Sequence, residues 1–169
     1  MALRNILEFG DKTLNKVCRP VKDFNKRLHI LLDDMKDTLL DAEGLGLAAP
    51  QVGVLRRVVV VIDINKEAEY EEDKIIELVN PEIIYTEGEQ EGMEGCLSLP
   101  GEFGIVKRPN IVKVRAFDRY GQEFEYTGEG LTARCFCHEL DHLDGHLYTE
   151  RASRMLTPEE LDEMRGDAE

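Results

Sequence analysis

Two histidines spaced four residues apart, His138 and His142, constrain this chain more than any other feature of its sequence. On a helix, such a pair lies about 40° apart around the axis and roughly 6 Å apart along it. Both imidazoles can therefore bind one metal ion, at about 2.0–2.1 Å each if the ion is zinc. Glu139 lies at the edge of the same face, where it can act as a base on water rather than as a ligand. The segment predicts a metal site built on a helix.

The residues around the histidines support a helix over this segment. One apolar stripe repeats with helical spacing and consists of Phe136, Leu140, Leu143 and Leu147. This stripe is expected to be buried, while Leu131 and Cys135 share the histidine face, which would line a pocket. Gly145 is expected to end the helix as the first residue beyond its cap.

A metal site needs a third ligand from elsewhere in the chain. Zinc peptidases that extend the HExxH motif carry another histidine six residues further on, but that position is Tyr148 here. Cys135 lies about 10.5 Å of helical rise from His142, and Cys137 points about 140° away from the histidine face. Cys96, in a glycine-flanked turn before a proline, is the best geometric candidate. A Cys/His/His set leaves the fourth position open, as in catalytic zinc sites.

Composition limits the classes of protein to consider. A length of 169 residues indicates one domain, which we expect to be a single catalytic domain over 1–169 with a short acidic helix or tail over 157–169. The net charge of −14 argues against nucleic-acid binding, which needs a surplus of Lys and Arg. No apolar run approaches the ~20 residues that span a bilayer, and no signal-peptide segment is evident. We expect a cytoplasmic protein without membrane contact, with its cysteines reduced.

The alternation of apolar and polar residues predicts an α+β fold, with mainly antiparallel strands packed around a central helix that carries the HExxH motif. Strands are predicted at 58–64, 75–79, 82–85, 112–117 and 123–126. Asn80-Pro81 is expected to separate two of these strands, and the last two form a hairpin. A polar loop is predicted to lead to Cys96. A first helix is predicted over about 25–42 with Gly44 as its stop, and a last helix begins at the capping box opened by Thr157.

Residues 44–51, with the sequence GLGLAAPQ, form a run of small side chains between two predicted elements. This run is not a phosphate-binding loop, because no lysine follows and the GxGxxG order is absent. Small side chains would let another backbone approach closely. A tight connection packed against the core explains the run equally well.

Three motifs, taken together and in this order, resemble those of the peptide deformylases. Residues 44–51 look like the GxGxAAxQ motif of that family, residues 94–98 match EGCLS in full, and residues 138–142 match HExDH. The similarity extends from about Ile6 to Tyr148. It implies a metal-dependent hydrolase that removes the N-terminal formyl group from formyl-methionine of newly made polypeptides and releases formate.

The resemblance also implies roles for individual residues. The implied metal ligands are Cys96, His138 and His142, and the implied catalytic groups are Glu139 as general acid/base and, as an oxyanion hole, Gln51 and the backbone N–H of Leu97. The implied substrate contacts are Leu45, Gly46 and Gly95 through their backbones, and Glu94, Leu131, Arg134 and Cys135 around the methionine pocket. Glu43 and Arg108 match positions that form a structural ion pair in relatives.

Cofactor and partners follow from the same resemblance. The family usually uses ferrous iron, so one Fe²⁺ per chain is expected, with Zn²⁺ or another divalent ion as alternatives that ligand type does not separate. The expected partners are N-formylmethionyl nascent peptides, met in transient proximity to the ribosome. Some relatives dock there through a long basic C-terminal helix, whereas this chain ends in an acidic segment from Glu159. Docking to ribosomal RNA through this tail is therefore not expected.

Two other interpretations and one departure from the family pattern remain at this level. A general zinc endopeptidase would cleave internal peptide bonds and would not need Cys96. A catalytically silent homologue or binding module would be favoured by loss of a ligand, of Glu139 or of Gln51, and all are present. Cys137 replaces the glutamine that commonly precedes HExDH, and we expect this to alter packing rather than activity.

Overall fold

The computed structural model describes residues 2–168 as an α+β fold whose two sheets are both antiparallel. The strands are β1 (Gly46–Ala48), β2 (Val58–Ile62), β3 (Ile75–Glu87), β4 (Gln90–Cys96), β5 (Leu99–Arg108), β6 (Ile111–Phe117), β7 (Glu123–Glu129) and β8 (Arg154–Met155). The helices are α1 (Lys26–Asp41), α2 (Leu131–Leu143) and α3 (Pro158–Ala168), with short 3₁₀ turns at Lys12–Asn15, Ala49–Val52, Glu71–Lys74 and Tyr148–Glu150. One sheet has the order β1-β2-β3-β6-β7 and the other the order β4-β5-β8.

Strand β2 is buried on both faces and separates two hydrophobic clusters. Val59 and Val61 face α2, together with Phe136 and Leu140 of that helix. The alternate residues of β2 face α1 and pack against its leucines. Since consecutive side chains of a strand point to opposite faces, a run of five apolar β-branched residues serves both clusters. The five-stranded sheet thus lies between α1 and α2.

Helix α1 confirms the predicted first helix but ends differently from the prediction. Asn25 caps it by accepting a hydrogen bond from the Leu28 N–H at 3.2 Å. The residue in the left-handed conformation after the helix is Glu43, with φ of 56°, and not Gly44. Gly44 is small for a different reason, because a Cβ there would lie 2.7 Å from a methyl carbon of Leu97. The glycine therefore lets the segment after α1 pack against the turn between β4 and β5.

Two predictions about the strands were wrong. Asn80-Pro81 does not separate two strands, because β3 runs through it with a shift in register, and Asn80 takes a positive φ of 50°. The polar loop predicted to lead to Cys96 is largely a strand, because β4 begins at Gln90 and pairs with β5 in a hairpin that has Cys96 beside its turn. The hairpin predicted between β6 and β7 is confirmed.

Helix α2 confirms the predicted helical segment over its first thirteen residues. It ends at Leu143, so Leu147 lies outside it. Gly145 follows the cap with a φ of 78°, as predicted, and a Cβ there would lie 2.6 Å from the Asn15 carbonyl oxygen. Glycine is needed at this position both for its backbone conformation and for the close approach of another part of the chain.

The capping box predicted for the last helix is confirmed. The Thr157 N–H donates to the Glu160 carboxylate at 3.1 Å, and the Glu160 N–H donates to the Thr157 hydroxyl at 3.2 Å. The predicted tail extends to residue 169, which lies outside the described residues. Within residues 2–168, the helices are all too short or too polar to cross a lipid bilayer.

Candidate active site

Cys96, His138 and His142 come together although they are far apart in sequence. The sulfur of Cys96 and one ring nitrogen of each histidine lie within 4.8 Å of one another. The two imidazoles are one turn apart on α2, with ring centroids separated by 5.1 Å. Cys96 Sγ lies 3.4 Å from His142 Nε2, because β4 ends against the helix. This arrangement gives a nitrogen, nitrogen and sulfur donor set for one ion.

The donor set fits a catalytic metal ion. Both histidines are buried, and their Nδ1 atoms have no hydrogen-bond partner among the described protein atoms. His138 Nδ1 lies 3.4 Å from Glu94 Oε1 but is not aligned as a hydrogen bond. Three protein ligands from Cys and His leave a coordination position open, which is the pattern of catalytic rather than structural sites. A divalent ion is therefore compatible with the residues present.

A buried ion network supports the histidine helix from outside the donor set. Arg108 donates two hydrogen bonds to Glu94, at 3.3 and 3.0 Å, and a third to Asp141 at 2.9 Å. Burial would raise the pKa of the Glu94 carboxyl, but the adjacent His138 ring and the Arg108 guanidinium lower it overall. The implied ion pair between Glu43 and Arg108 is wrong, because Arg108 is buried with these other carboxylates and Glu43 is exposed.

Glu139 is buried against the backbone of β1. Its side chain is 2 % exposed, and a Cβ on Gly46 would lie 2.8 Å from Glu139 Cγ. Gly46 therefore makes room for the Glu139 side chain, whereas the sequence predicted that another backbone would approach this run of small residues. Burial raises the pKa of Glu139 to about 7. A carboxyl group with a pKa near neutrality can both accept and donate a proton under physiological conditions.

The Gln51 side chain is held in one orientation beside Cys96. Its Oε1 accepts a hydrogen bond from the Ala48 N–H at 2.9 Å. Its Nε2 donates to the Ser98 hydroxyl at 3.0 Å and lies 3.5 Å from Cys96 Sγ. Since the oxygen is occupied by a backbone donor, the amide N–H groups face the site. Gln51 can therefore offer a hydrogen bond to an oxygen near the donor set.

A pocket of about 610 Å³ opens beside the donor set. Of the residues predicted for the site, those that line the pocket are Leu45, Gly46, Gln51, Glu94, Gly95, Cys96, Leu97, Leu131, Arg134, Cys135, His138 and Glu139. His142 belongs to the donor set but lies behind the lining, 1 % exposed. The resemblance thus led to residues that the fold brings into one cavity.

Two strand edges border this pocket. Strand β1 is the edge of the five-stranded sheet, and β4 is the edge of the three-stranded sheet. Gly46 begins β1 and Gly95 lies near the end of β4, and both line the cavity. An edge strand presents unpaired N–H and C=O groups that can pair with another extended chain. The pocket therefore has the free edge of a strand on each side.

The remaining cysteines near the helix are not part of the donor set. Burial raises the pKa of Cys135 to about 12 and that of Cys137 to about 11, so both are thiols at neutral pH. Cys137 is buried in the apolar cluster between α2 and the sheet, as predicted. Cys135 lines the pocket instead of facing the metal position.

Sequence reasoning missed several residues that shape the site. Ser98 is fully buried and fixes the Gln51 amide, and Asp141 joins Glu94 in binding Arg108, for which the resemblance implied the wrong partner. The EGCLS motif contained Ser98, but no spacing argument assigned it a task. Strand β5 also contributes Pro100 and Phe103 to the pocket, which recognition of the β4–β5 hairpin would have indicated.

Comparison with known proteins agrees with this geometry over nearly the whole chain. A family model described as polypeptide deformylase matches residues 3–157. The chain is 57 % identical over 153 residues to a peptide deformylase of Lachnoclostridium phytofermentans, covering 90 % of this chain and 91 % of the relative. It is 52 % identical over 166 residues to one of Caldicellulosiruptor bescii, covering 98 % and 95 %.

Solved structures show the same fold. The crystal structure of a peptide deformylase from Legionella pneumophila superposes with a TM-score of 0.82 at 42 % identity, covering 99 % of this chain and 98 % of that one. The Met-Ala-Ser-bound crystal structure of a class I type b peptide deformylase from Acinetobacter baumannii gives a TM-score of 0.80 at 34 % identity, covering 89 % and 98 %. A family match over residues 3–157 and relatives of about half-identical sequence over nearly the whole chain show that it belongs to the peptide deformylases, the metal-dependent hydrolases that remove the N-terminal formyl group from newly made polypeptides.

Proposed function

We propose that Cys96, His138 and His142 hold one divalent ion at which this enzyme removes the formyl group. The observation that carries this assignment is the convergence of the three donor atoms within 4.8 Å at the wall of the pocket. When bound, such an ion supplies a Lewis acid that polarises a carbonyl group and lowers the pKa of water. Fe²⁺ is the ion we propose, with Zn²⁺ or another divalent ion as alternatives, because this donor set accepts both.

Glu139 is the proposed proton carrier. Its buried carboxylate lies next to His138 on α2 and outside the donor set. Glu139 accepts a proton from the water that attacks the formyl carbon, and it then donates that proton to the nitrogen of the departing amine. The C–N bond breaks, and the products are formate and a peptide with a free N-terminal methionine.

Gln51 and the backbone N–H of Leu97 are the proposed oxyanion donors. The Gln51 amide is oriented by Ala48 and Ser98, so its N–H groups need no rearrangement when negative charge develops on the formyl oxygen. Leu97 follows Cys96 directly at the turn between β4 and β5. Preorganised donors of this kind typically contribute a factor of about 10²–10³ in rate.

The substrate is proposed to bind as an extended strand between β1 and β4. Leu45, Gly46 and Gly95 would pair with its backbone at the two free edges. The methionine side chain would enter the part of the pocket lined by Glu94, Leu131, Arg134 and Cys135. The negative charge of Glu94 is balanced by Arg108, so this part of the pocket is less anionic than its sequence suggests.

The chain over 1–169 is proposed to act as one catalytic domain, with α2 as the helix around which the strands are arranged. Helix α2 contacts strands of the five-stranded sheet and also β5 of the other sheet. The proposed partners are N-formylmethionyl nascent peptides, which places the enzyme in the cytoplasm and near ribosomes. We propose neither a membrane contact nor direct binding of nucleic acid.

Formate release from formyl-Met-Ala-Ser, measured with protein kept anaerobic, tests the proposal. Metal analysis of the same sample should show one divalent ion per chain, and chelation should abolish activity that Fe²⁺ restores. Cleavage of internal bonds in a blocked peptide would instead favour a general endopeptidase. Absence of formate release from fully metallated protein would leave the family assignment but overturn these residue roles.

A further inference from the structure

A second groove, of about 950 Å³, lies away from the catalytic pocket and has no part in the proposed reaction. It is formed by the segment before α1, the first turns of α1 and the turn before β2. Its apolar lining residues are Pro20, Val21, Leu28, Ile30, Leu31, Val54 and Leu55. Its basic lining residues are Arg4, Arg19, Lys22, Arg27 and Arg56, against a single acidic one, Asp23. The groove therefore combines an apolar floor with a cationic rim.

Most of these cations have no carboxylate partner. Arg4 pairs with Asp34 at 2.9 Å. Among residues 2–166, the four other basic side chains of the groove have no carboxylate within 4.0 Å. Residues 1–57 carry ten Lys and Arg against eight Asp and Glu, whereas residues 58–169 carry eleven against twenty-seven. An unneutralised basic surface in so acidic a chain indicates an acidic partner.

Helix α3 has the complementary chemistry. Residues 158–169 contain six acidic residues and one arginine. Glu160 is engaged with Arg154 and the cap, but Glu159, Asp162 and Glu163 are exposed. The helix also exposes 45 % of Met164, next to the half-buried Leu161. A helix of eleven residues is marginal on its own in water, so an apolar contact for this side would stabilise it.

We propose that the cationic groove binds helix α3 of a second copy of this chain. Two turns of helix, about 10 Å across and 11 Å long, have roughly the volume of the groove. Met164 would lie on the apolar floor while the exposed acids meet Lys22, Arg27 and their neighbours. A nucleic acid fits less well, because the floor is aliphatic and no aromatic side chain lines the groove for base stacking. In this contact a helix binds in a groove, and the buried area is small. The association is therefore weak and depends on protein concentration.

Sedimentation velocity of the metal-loaded enzyme over about 10–300 µM, concentrations at which a weak complex with a micromolar to sub-millimolar Kd becomes populated, tests the proposal. The weight-average mass should rise with concentration and fall back when salt is raised from about 0.1 to 0.5 M. Truncation after Thr157 should keep the protein monomeric. The groove variant Lys22→Glu/Arg27→Glu should weaken association at least ~10-fold. It should not unfold the protein, because a glutamate in the first turn of α1 favours that helix.

Matched variants separate a specific contact from a general charge effect. Lys12→Glu removes another exposed cation, which lies outside the groove and has no carboxylate within 4.0 Å in the described part of the chain, and this variant should associate like the unchanged protein. Mixing the groove variant with a tail variant, Glu159→Lys/Glu163→Lys, should restore association that neither shows alone. All variants should keep kcat/KM on formyl-Met-Ala-Ser, since none of these residues lines the catalytic pocket.

Several outcomes would overturn the inference. A mass that stays at one chain over the whole range would do so, as would association that survives truncation or the groove substitutions. Fluorescence anisotropy with a labelled single-stranded RNA oligonucleotide tests whether the groove binds nucleic acid instead of a second copy of the chain. RNA binding that is lost in Lys22→Glu/Arg27→Glu, without self-association of the unchanged protein, would assign the groove to nucleic acid instead.

Discussion

At the scale of single residues, the site depends on which cysteine meets the histidines. Cys96 lies in the donor set, whereas Cys135 lies on the pocket wall and Cys137 is buried in the apolar cluster. Spacing along α2 already argued against the last two, because one helix cannot bring all these groups to a single ion. The position of Cys96 depends on the register of a hairpin and cannot be read from its own spacing.

Removing a ligand should therefore remove the metal. Cys96→Ser, His138→Ala and His142→Ala should each abolish stable binding of one divalent ion per chain, because two protein ligands hold it poorly. Cys135→Ser and Cys137→Ser are the matched controls and should keep metal content near that of the unchanged protein. Atomic emission analysis after gel filtration gives the occupancy. Metal loss from Cys135→Ser would show that the wrong thiolate had been assigned.

Glu139 should be needed for rate and dispensable for metal binding. In Glu139→Ala, the donor atoms are untouched, so the protein should fold and hold its ion. Its kcat on formyl-Met-Ala-Ser should fall by at least the ~10²–10⁴-fold expected when a general acid/base is lost. A protein purified without metal would instead identify the carboxylate as a ligand.

Gly46 should matter because of Glu139. In Gly46→Ala, the new methyl group would lie 2.8–3.0 Å from three atoms of the Glu139 side chain, which is too buried to swing away freely. The displaced carboxylate should lower kcat by about 10–100-fold while metal content stays unchanged. Gly166→Ala is the matched control, since no atom lies within 4 Å of the added carbon. Equal rates for the two variants would exclude a role for this close contact.

At the scale of elements, one polar cluster ties α2 to the large sheet. Asp63 follows β2 and accepts hydrogen bonds from Thr132 of α2 at 3.0 Å and from Tyr126 of β7. Burial would raise the pKa of Asp63, but the hydrogen bonds from Tyr126, the Asn65 N–H and Thr132 lower it overall. Burial and the same carboxylate raise the pKa of Tyr126 to about 12.

These opposite shifts define a pH window for the stability of the helix attachment. Asp63 stabilises the fold above its unfolded pKa of about 3.9, and this contribution is lost as the pH falls through the lower folded pKa. Tyr126 stabilises it below about pH 10, and its contribution is lost as the pH rises towards 12. Tyr126→Phe should lower the free energy of unfolding by about 1–3 kcal/mol at pH 7.

Urea unfolding of the metal-free protein across pH measures this effect. The difference between the unchanged protein and Tyr126→Phe should shrink in acid, where Asp63 is protonated, and again as the hydroxyl ionises. Tyr70→Phe, an exposed tyrosine, should change little at any pH. A pH-independent difference would indicate lost packing and not the hydrogen bond to Asp63.

The sequence predicts those elements whose buried residues recur at a regular local spacing. Helix α1 has apolar residues at helical spacing, and β2 is a run of β-branched residues buried on both sides. The β4–β5 hairpin could not be recognised in this way, because β4 is rich in glycine and glutamate and lacks the alternation of apolar and polar residues that marks a strand. The partner of Arg108 was missed for a related reason, since Glu94 and Asp141 meet it only after strand and helix are packed.

At the scale of the whole molecule, the two sheets present their free edges to the catalytic pocket. Strand β1 and strand β4 are both edge strands, and the donor set lies where they approach α2. Such edges would be a liability in isolation, because unpaired strands recruit other chains. Here one short strand and one glycine-containing strand border a cavity of about 610 Å³. In the proposed binding mode, these edges pair with a peptide that enters the cavity.

This arrangement predicts strong selectivity for the acyl group. In the proposed binding mode, the substrate chain runs away from the metal along β1 and β4, and on the other side the oxyanion donors Gln51 and Leu97 would leave room for a small group only. A formyl group fits there, whereas an acetyl group adds a methyl that must displace packed atoms. Overfilling such a site costs about 1–3 kcal/mol, which corresponds to roughly ten- to a hundredfold in rate.

We therefore expect kcat/KM for formyl-Met-Ala-Ser to exceed that for acetyl-Met-Ala-Ser by about ten- to a hundredfold. No internal bond of a blocked longer peptide should be cleaved, because a peptide on the acyl side needs far more space than a methyl group. Substrates with identical sequence after the acyl group keep the contacts along both strand edges constant. Equal rates on formyl and acetyl peptides would mean that the space beside Gln51 and Leu97 does not limit the acyl group, and internal fragments would reveal a general metallopeptidase.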